Sequence, residues 1–220
     1  MAEIREDRFY AEIEHDELVE NPRKEWDHFG TMATWHPNYR FGEVQIDRYA
    51  AQEWFDENLK NSGAIWLPLY LYDHSGLSMS TGSFVGRAQH AEWDSGQVGF
   101  IYVSREAALK EFGRKYMTKK WRKKVEGILE AEVETFDSYL RGDVYYIAIK
   151  DRENEDEIVD SVGGFYGYEY AKEEAEGMLK EHNRQYLLAF KDESDWEKAS
   201  AEADTDEGVL ARYTELQLIP

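Results

Sequence analysis

Two adjoining stretches decide the fold of this chain: Gln97-Val-Gly-Phe-Ile-Tyr-Val103 and, over residues 115–140, KYMTKKWRKKVEGILEAEVETFDSYL. The first is mostly apolar and aromatic, and it predicts a strand. The second places apolar side chains at helical spacing, so it predicts one long amphipathic helix, which Gly142 ends. The apolar positions of that helix are Met117, Trp121, Val125, Ile128, Leu129, Val133, Phe136 and Leu140.

Further strands and shorter helices are predicted on both sides of these stretches. The predicted strands cover residues 8–14, 64–72, 143–150 and 157–166, and the polar turn 151–156 joins the last two. The predicted helices cover residues 48–61, 105–112 and 168–182. Because strands and helices mix without a regular βαβ rhythm, we expect an α+β fold with a mixed or antiparallel sheet, on which the long helix and the shorter helices pack.

Some positions carry more specific expectations. The apolar run 64–72 is nearly continuous, which predicts a strand buried on both faces. Pro68 lacks a backbone donor and favours an edge or a bulge within that strand. Tyr49 and Tyr170 are expected on the apolar sides of their predicted helices.

The chain shows no internal repeat and no linker-like composition between its predicted elements. Residues 21–42 are expected to be irregular, and residues 73–96 to form a long loop, with short strands inside it as an open alternative. We therefore expect a single α+β domain over residues 1–190. Residues 191–220 are expected to form an acidic segment, with a short strand over 212–219.

The composition excludes several functional classes. The 220 residues include 46 Asp and Glu against 26 Lys and Arg, a net charge of −20, which is unfavourable for a general nucleic-acid binder. There is no cysteine, which excludes disulfides, thiolate metal sites and cysteine nucleophiles. The N-terminal residues do not resemble a secretory signal, and no apolar run is long enough for a membrane helix. We expect a soluble intracellular protein.

Charge is strongly segregated along the chain. Residues 105–124 carry nine basic side chains and two acidic ones, while the second half of the long helix is acidic. This order is the reverse of what the helix macrodipole favours, and like charges four residues apart cost about 0.2–0.5 kcal/mol each. Helix stability alone therefore did not select it. One interpretation is that the basic half neutralises acidic parts of the same chain.

The other interpretation is an exposed anionic surface that binds a partner. Carboxylates four residues apart on a helix lie about 6 Å from each other, a spacing comparable to that of DNA phosphates. The surface would then imitate DNA. The predicted partner-binding residues are Glu126, Glu130, Glu134 and Asp137 on the long helix and Glu153, Glu155, Asp156 and Glu157 at the polar turn.

Catalytic motifs are mostly missing from the sequence. The phosphate-binding loop, the dinucleotide fingerprint and the common hydrolase motifs do not occur. The best catalytic candidates are Asp73, His74, His90 and Asp94, because two imidazoles and two carboxylates can bind a divalent metal or act as a general base. They define an alternative function, a metal-dependent hydrolase or nucleic-acid-processing enzyme. Otherwise no catalytic residue, metal or cofactor is expected.

Several segments resemble a family of proteins carried by phages and other mobile elements. The segments with the most specific sequences are LPLYLYDHSG at residues 67–76 and WDSGQVGFIYVS at residues 93–104. Similar landmarks lie at residues 21–27, 139–145 and 164–167, so the resemblance covers about residues 20–180. It implies a small accessory gene carried into a bacterial cell, a context shared with antirestriction and anti-CRISPR proteins.

Together the charge and the resemblance predict a non-enzymatic inhibitor of a host nucleic-acid-targeting defence system. The expected partner is a host protein with a basic nucleic-acid-binding surface, met in the host bacterial cytoplasm. Direct DNA binding and membrane binding are not expected. A third alternative is an adaptor whose basic patch at residues 114–124 touches nucleic acid or an acidic partner.

Overall fold

The structure is a computed structural model that describes residues 2–6 and 8–202. The chain folds into two compact units. One unit contains His15–Tyr145 and Gly164–Tyr168 and is called the central unit below. The other contains the chain up to Glu14, Tyr146–Gly163 and the chain from Glu169 onward, and is called the terminal unit. The predicted α+β class is confirmed, because helices combine with antiparallel and mixed sheet.

The central unit is built on a five-stranded sheet. Its strands are β3 (Thr31–Thr34), β4 (Val44–Gln45), β5 (Ile65–Asp73), β6 (Leu77–Ser80) and β7 (Ser95–Val103). Their spatial order is β4-β3-β7-β5-β6, with β3 and β4 parallel and every other pair antiparallel. The predicted strand at 97–103 is therefore confirmed, and it forms the middle of the sheet.

The same unit contains five helices. They are α1 (Pro22–Glu25), α2 (Ala51–Phe55), α3 (Ala91–Asp94), α4 (Arg105–Glu111) and α5 (Lys119–Arg141). The helix predicted over 48–61 is α2 extended by a 3-10 turn at Arg48–Ala50 and a π-helical turn at Asp56–Lys60. The sequence places Tyr49 on the apolar side of this helix, but Tyr49 is 97% exposed. It lies in the 3-10 turn before α2, whose three residues per turn do not follow the α-helical spacing on which the prediction rests.

The long helix α5 covers one face of this sheet. Thr118 caps its start by accepting the backbone N–H of Trp121 at 3.4 Å, and Gly142 ends it with φ +68°. The side chains that it buries are Val125, Leu129, Val133 and Phe136, four of the predicted apolar positions. They pack in one core with Ile65, Leu69 and Ile101 of the sheet. Burial of such side chains contributes about 1.5–3 kcal/mol each, which fixes the orientation of α5.

The opposite face of the sheet is covered by an aromatic cluster. Leu59, Ala64 and Phe100 are its buried members, with Trp54 and Trp66 packed against them. Strand β5 is therefore enclosed on both faces, as predicted. At Pro68 its partner is β7 alone, because pairing with β6 begins at Tyr70, and a register shift lies between Leu69 and Tyr70. The missing donor of Pro68 therefore lies next to an irregularity of the kind that the sequence predicts.

The terminal unit contains most of a four-stranded sheet and one helix. The strands are β1 (Ala2–Glu6), β2 (Phe9–His15), β8 (Val144–Asp151) and β9 (Glu157–Tyr166), in the order β1-β2-β8-β9. The helix α6 (Tyr168–Glu202) buries Ala171, Ala175 and Leu179. The sequence places Tyr170 on that inner side, but it is 53% exposed. It lies next to Ala171 at the edge of the buried stripe.

Four other expectations are changed or lie outside the described residues. The predicted irregular segment and long loop contain β3 and β6, and the predicted boundary at residue 190 falls inside α6. The predicted strand at 212–219 lies outside the described residues. Among the described helices, none has both the length and the apolar composition required to cross a bilayer.

Candidate functional site

The outward face of α5 carries the first candidate site. Glu130 and Glu134 are exposed one helical turn apart, so their carboxylates follow the axis at about 6 Å. Within the described residues, Glu134 makes no hydrogen bond or ion pair, and Glu130 accepts the hydroxyl of Thr81 at 3.3 Å. Glu126 is half-buried, and Arg122 approaches it to 3.6 Å. Two of the predicted carboxylates are thus open to solvent and a third is partly neutralised.

Asp137 has a different role. Its Oδ1 accepts the hydroxyl of Ser78 and the backbone N–H of Met79, both at 2.7 Å. Arg141 lies 3.5 Å from its Oδ2. This carboxylate joins α5 to β6, and its side chain is only 18% exposed. A partner would have to break these bonds to reach it.

Glu132 is the second structural acid of the helix. Its carboxylate accepts the backbone N–H of Phe29 at 2.6 Å and contacts the guanidinium of Arg23 at 3.0 Å. Arg23, 4% exposed, also donates to both carboxylate oxygens of Glu43, at 3.0 and 2.7 Å. The acids in the second half of α5 therefore divide into two groups. Glu132 and Asp137 hold the fold together, and Glu130 and Glu134 face solvent.

The turn after β8 carries the other predicted acids, and most of them have local partners. Arg8 lies 3.4 Å from Glu153, and the side chain of Asn154 contacts that of Glu157. Asp156 accepts the hydroxyl of Tyr10, whose pKa is raised by burial first and by this hydrogen bond second. Glu155 is exposed and has a left-handed backbone, φ +53°. These side chains remain at the surface, but the turn is more ordered than a run of free carboxylates.

Sequence reasoning missed the residue that organises this turn. Both carboxylate oxygens of Asp151 accept Nε–H of Arg8, at 2.8 and 2.9 Å, and Oδ1 also accepts the backbone N–H of Glu153 at 3.0 Å. The hydrogen bond from Arg8 holds the pKa of the Asp151 carboxyl below its usual value. The sequence signal was a single Asp at the end of an apolar strand, which is a common turn residue.

The basic half of α5 does not neutralise acids elsewhere in the described chain. Lys119, Lys120 and Lys123 are exposed. Among the described residues, the basic half forms one ion pair with a carboxylate, the local pair of Arg122 with Glu126. Lys124 instead lies over the rings of Phe112 and Trp121, at 5.1 and 5.2 Å. The interpretation of internal neutralisation is therefore not supported in the part of the chain that the structure describes.

The four catalytic candidates come together only in part. His74 Nδ1 lies 2.8 Å from Asp94 Oδ2, and the rings of His74 and His90 are 5.8 Å apart. Asp73 instead accepts the hydroxyl of Tyr39 at 3.2 Å, which raises the pKa of that tyrosine. No group of three or more His, Asp or Glu side chains suited to a metal ion occurs in the described residues. The arrangement is a His–Asp pair, which can act as a general base.

A groove of about 1210 Å³ lies beside this pair. Tyr72, His74 and Arg87 line one part of it, and Glu130 and Glu134 of α5 line another. The two candidate sites of the central unit therefore border the same groove. Its lining mixes carboxylates, hydroxyl groups and two arginines, Arg87 and Arg141, which suits a polar ligand better than an apolar one.

No protein-family model matches the chain, and no curated protein and no solved structure matches it at a significant level. The resemblance to phage and mobile-element proteins therefore stays a prediction. A function for this chain has to come from its own residues and their geometry.

Proposed function

We propose that the protein is a non-enzymatic inhibitor, carried by a phage or mobile element, of a host nucleic-acid-targeting defence system of the anti-CRISPR or antirestriction type. It acts in the host cytoplasm by offering an acidic surface to a basic protein surface. The observation that carries the proposal is the pair of solvent-facing carboxylates Glu130 and Glu134, one turn apart on α5. Glu126 continues the row by one more turn.

The physical basis is imitation of a phosphate row. Lysine and arginine side chains of a DNA-binding channel are spaced to meet regularly placed negative charges. A rigid helix with carboxylates about 6 Å apart presents such a row with its backbone already ordered, so only the side chains lose conformational entropy on binding. The net charge of −20 adds a long-range field that attracts basic proteins and speeds their approach.

The decisive test uses the partner captured from a host lysate and then purified. We expect this partner to bind double-stranded DNA, and we expect DNA and this protein to displace each other. Binding should weaken steeply with added salt, because exposed charges are screened within about 8 Å at physiological ionic strength. Simultaneous binding of DNA and this protein, without mutual loss of affinity, contradicts mimicry.

Charge reversal locates the surface. Changing Glu126, Glu130 and Glu134 to Lys should slow association about tenfold or more, because steering depends on charge. The unfolding midpoint should change little, because Glu130 and Glu134 face solvent and Glu126 makes only a surface ion pair with Arg122. The matched control changes three acids of α6, Glu169, Glu173 and Glu176, to Lys. That control alters the net charge equally. Equal slowing in both variants would mean that only the net charge matters and that α5 is not the contact surface.

A second candidate function rests on the 2.8 Å pair of His74 and Asp94 at the groove. It is the hydrolase or nucleic-acid-processing alternative, with His74 as general base and Asp94 orienting its ring. We expect no stoichiometric divalent metal in protein purified without chelator. Elemental analysis tests this. A tightly held zinc or manganese ion that the His74→Ala variant loses would favour the enzyme over the inhibitor.

A further inference from the structure

Strand β9 is an edge strand with unusually open side chains. It has β8 as its neighbour and, among the described residues, none on its other side. Every residue of the segment 157–163 is exposed. That segment includes Ile158, Val159 and Val162, which are 49%, 43% and 40% exposed. Apolar, β-branched side chains of this kind normally lie in the interior of a sheet.

The segment makes two polar contacts through Asp160, one within the strand and one to helix α6. The N–H of Ser161 donates to Oδ1 of its own neighbour Asp160 at 2.8 Å. The other oxygen of Asp160 is 3.0 Å from His182 on α6, which holds the strand in place. Since an edge strand presents a row of backbone donors and acceptors, β9 is a prepared template for one more strand.

The segment lacks two of the usual protections of an exposed edge. It contains no proline and no lysine, and both commonly prevent strand addition. Its charges are Glu157 and Asp160, and the adjoining turn adds Glu153 and Glu155. Acidic side chains repel a strand of the same charge, and they attract a basic one.

We propose that the outer edge of β9 receives an extended, lysine- or arginine-containing segment of the partner protein, which adds to the sheet as a fifth strand. The backbone provides the hydrogen bonds, the exposed valines and isoleucine provide apolar contacts, and Glu157 with Glu155 of the adjoining turn selects basic side chains. The inference rests on the proposed function in one respect: the partner is the same basic protein.

A second copy of this chain is the less suitable occupant. Antiparallel addition of β9 to itself would bring the Asp160 carboxylates and the acidic turns of two highly negative molecules toward each other, and facing like charges destabilise a strand pair. A basic segment meets no such repulsion. The backbone of β9 could pair with either strand, but its negative charge favours the basic segment over a second copy of this chain.

The test uses a fluorescein-labelled peptide, Thr-Lys-Val-Lys-Val-Lys-Val-Thr, with the full-length protein. Fluorescence anisotropy should show saturable binding. The same peptide with N-methyl groups on alternate residues should bind about tenfold more weakly or worse, because it keeps the charge and loses backbone donors. A peptide with Glu in place of Lys should not bind. Equal affinity of the plain and methylated peptides would overturn strand addition.

Variants of the protein test whether the peptide binds at residues 157–163. Ser161→Pro gives the segment a proline, which commonly prevents strand addition, and Val159→Lys adds a repelling charge, so each should weaken the plain peptide about tenfold. The matched control is Val85→Lys, which makes the same change at a valine that is 54% exposed in the central unit, and it should leave affinity unchanged. Should Ser161→Pro unfold, the methylated peptide on the unaltered protein still decides.

The outcomes separate this inference from the proposed function. If the captured partner competes with DNA but the peptide does not bind, the strand site is wrong and the inhibitor proposal stands. If the peptide binds at β9 but the partner and DNA bind together, the strand site stands and mimicry is wrong. A dimer in sedimentation that Ser161→Pro dissociates would show a second copy at the edge and would overturn the basic occupant.

Discussion

At the scale of single residues, Arg23 is the buried charged side chain of the central unit. Its guanidinium joins Glu43 of the chain after β3 to Glu132 of α5, and it donates to the carbonyl of Gly30 at 2.8 Å. The carboxylates in turn accept the backbone N–H groups of Phe29 and Met32. Two of the 46 acidic residues of the chain, Glu43 and Glu132, therefore bind one buried cation.

Arg23→Met should lower the free energy of unfolding by about 3 kcal/mol, because it leaves two partly buried carboxylates facing each other without a cation. Urea unfolding followed by tryptophan fluorescence measures the change. The control Arg141→Met removes a half-exposed arginine that also contacts a carboxylate, and it should cost about 0.5 kcal/mol or less. Similar losses in both variants would mean that burial does not matter here.

The sequence predicts one half of this arrangement. Helical spacing identifies Val125, Leu129 and Val133 as the buried stripe, and Glu132 adjoins that stripe while Glu134 lies away from it. The difference between Glu132 and Glu134 was therefore present in the helical pattern. The partner Arg23 was not, because it is more than a hundred residues away and only the packed fold brings it to α5.

At the scale of elements, helix α5 has an unfavourable order of charges for its own dipole. Its first turns are basic and its acids follow between Glu126 and Asp137, which reduces its local stability, although Arg141 in the last turn is favourably placed. The acids Glu132 and Asp137 explain part of this order through their tertiary bonds. The exposed lysines have no such explanation within the described residues, so their effect on folding should be small or unfavourable.

Changing Lys119, Lys120 and Lys123 together to Gln should therefore leave stability within about 0.5 kcal/mol of the unaltered protein, or raise it slightly. Thermal unfolding followed by circular dichroism measures this. Lys124→Gln is the comparison, since it removes a cation from the rings of Phe112 and Trp121 and should be the more costly single change. A large loss from the triple variant would restore the interpretation that these lysines neutralise acids of the same chain.

Elements with a strong pattern of their own were predictable, and elements defined by their neighbours were not. Strand β7 and helix α5 follow their predicted stretches closely, because apolar periodicity reports burial directly. Strands β3 and β6 have only four residues each, too few for a recognisable alternation. They are strands because β7 and β5 offer them a hydrogen-bonding edge.

At the scale of the whole molecule, the division into two units was hidden from sequence reasoning. Its boundaries at residues 14/15, 145/146 and 163/164 fall inside β2, β8 and β9. A linker between domains can be recognised in the sequence by its proline, glycine or polar residues. A boundary inside a strand cannot, because its residues are those of an ordinary strand. Of the candidate site, the exposure of Glu130 and Glu134 was predictable. The local partners of the turn acids were not.

The open edge of β9 also has a consequence for the exchange of amide hydrogens with solvent. Successive amides of a strand point to opposite edges, so along residues 157–163 only alternate N–H groups can reach β8. The amides of the outer edge have no strand to protect them within the described chain, and exchange follows local protection. In deuterated water, every second amide of this segment should therefore exchange quickly, and the amides between them slowly. An added strand would protect the fast amides and remove this alternation.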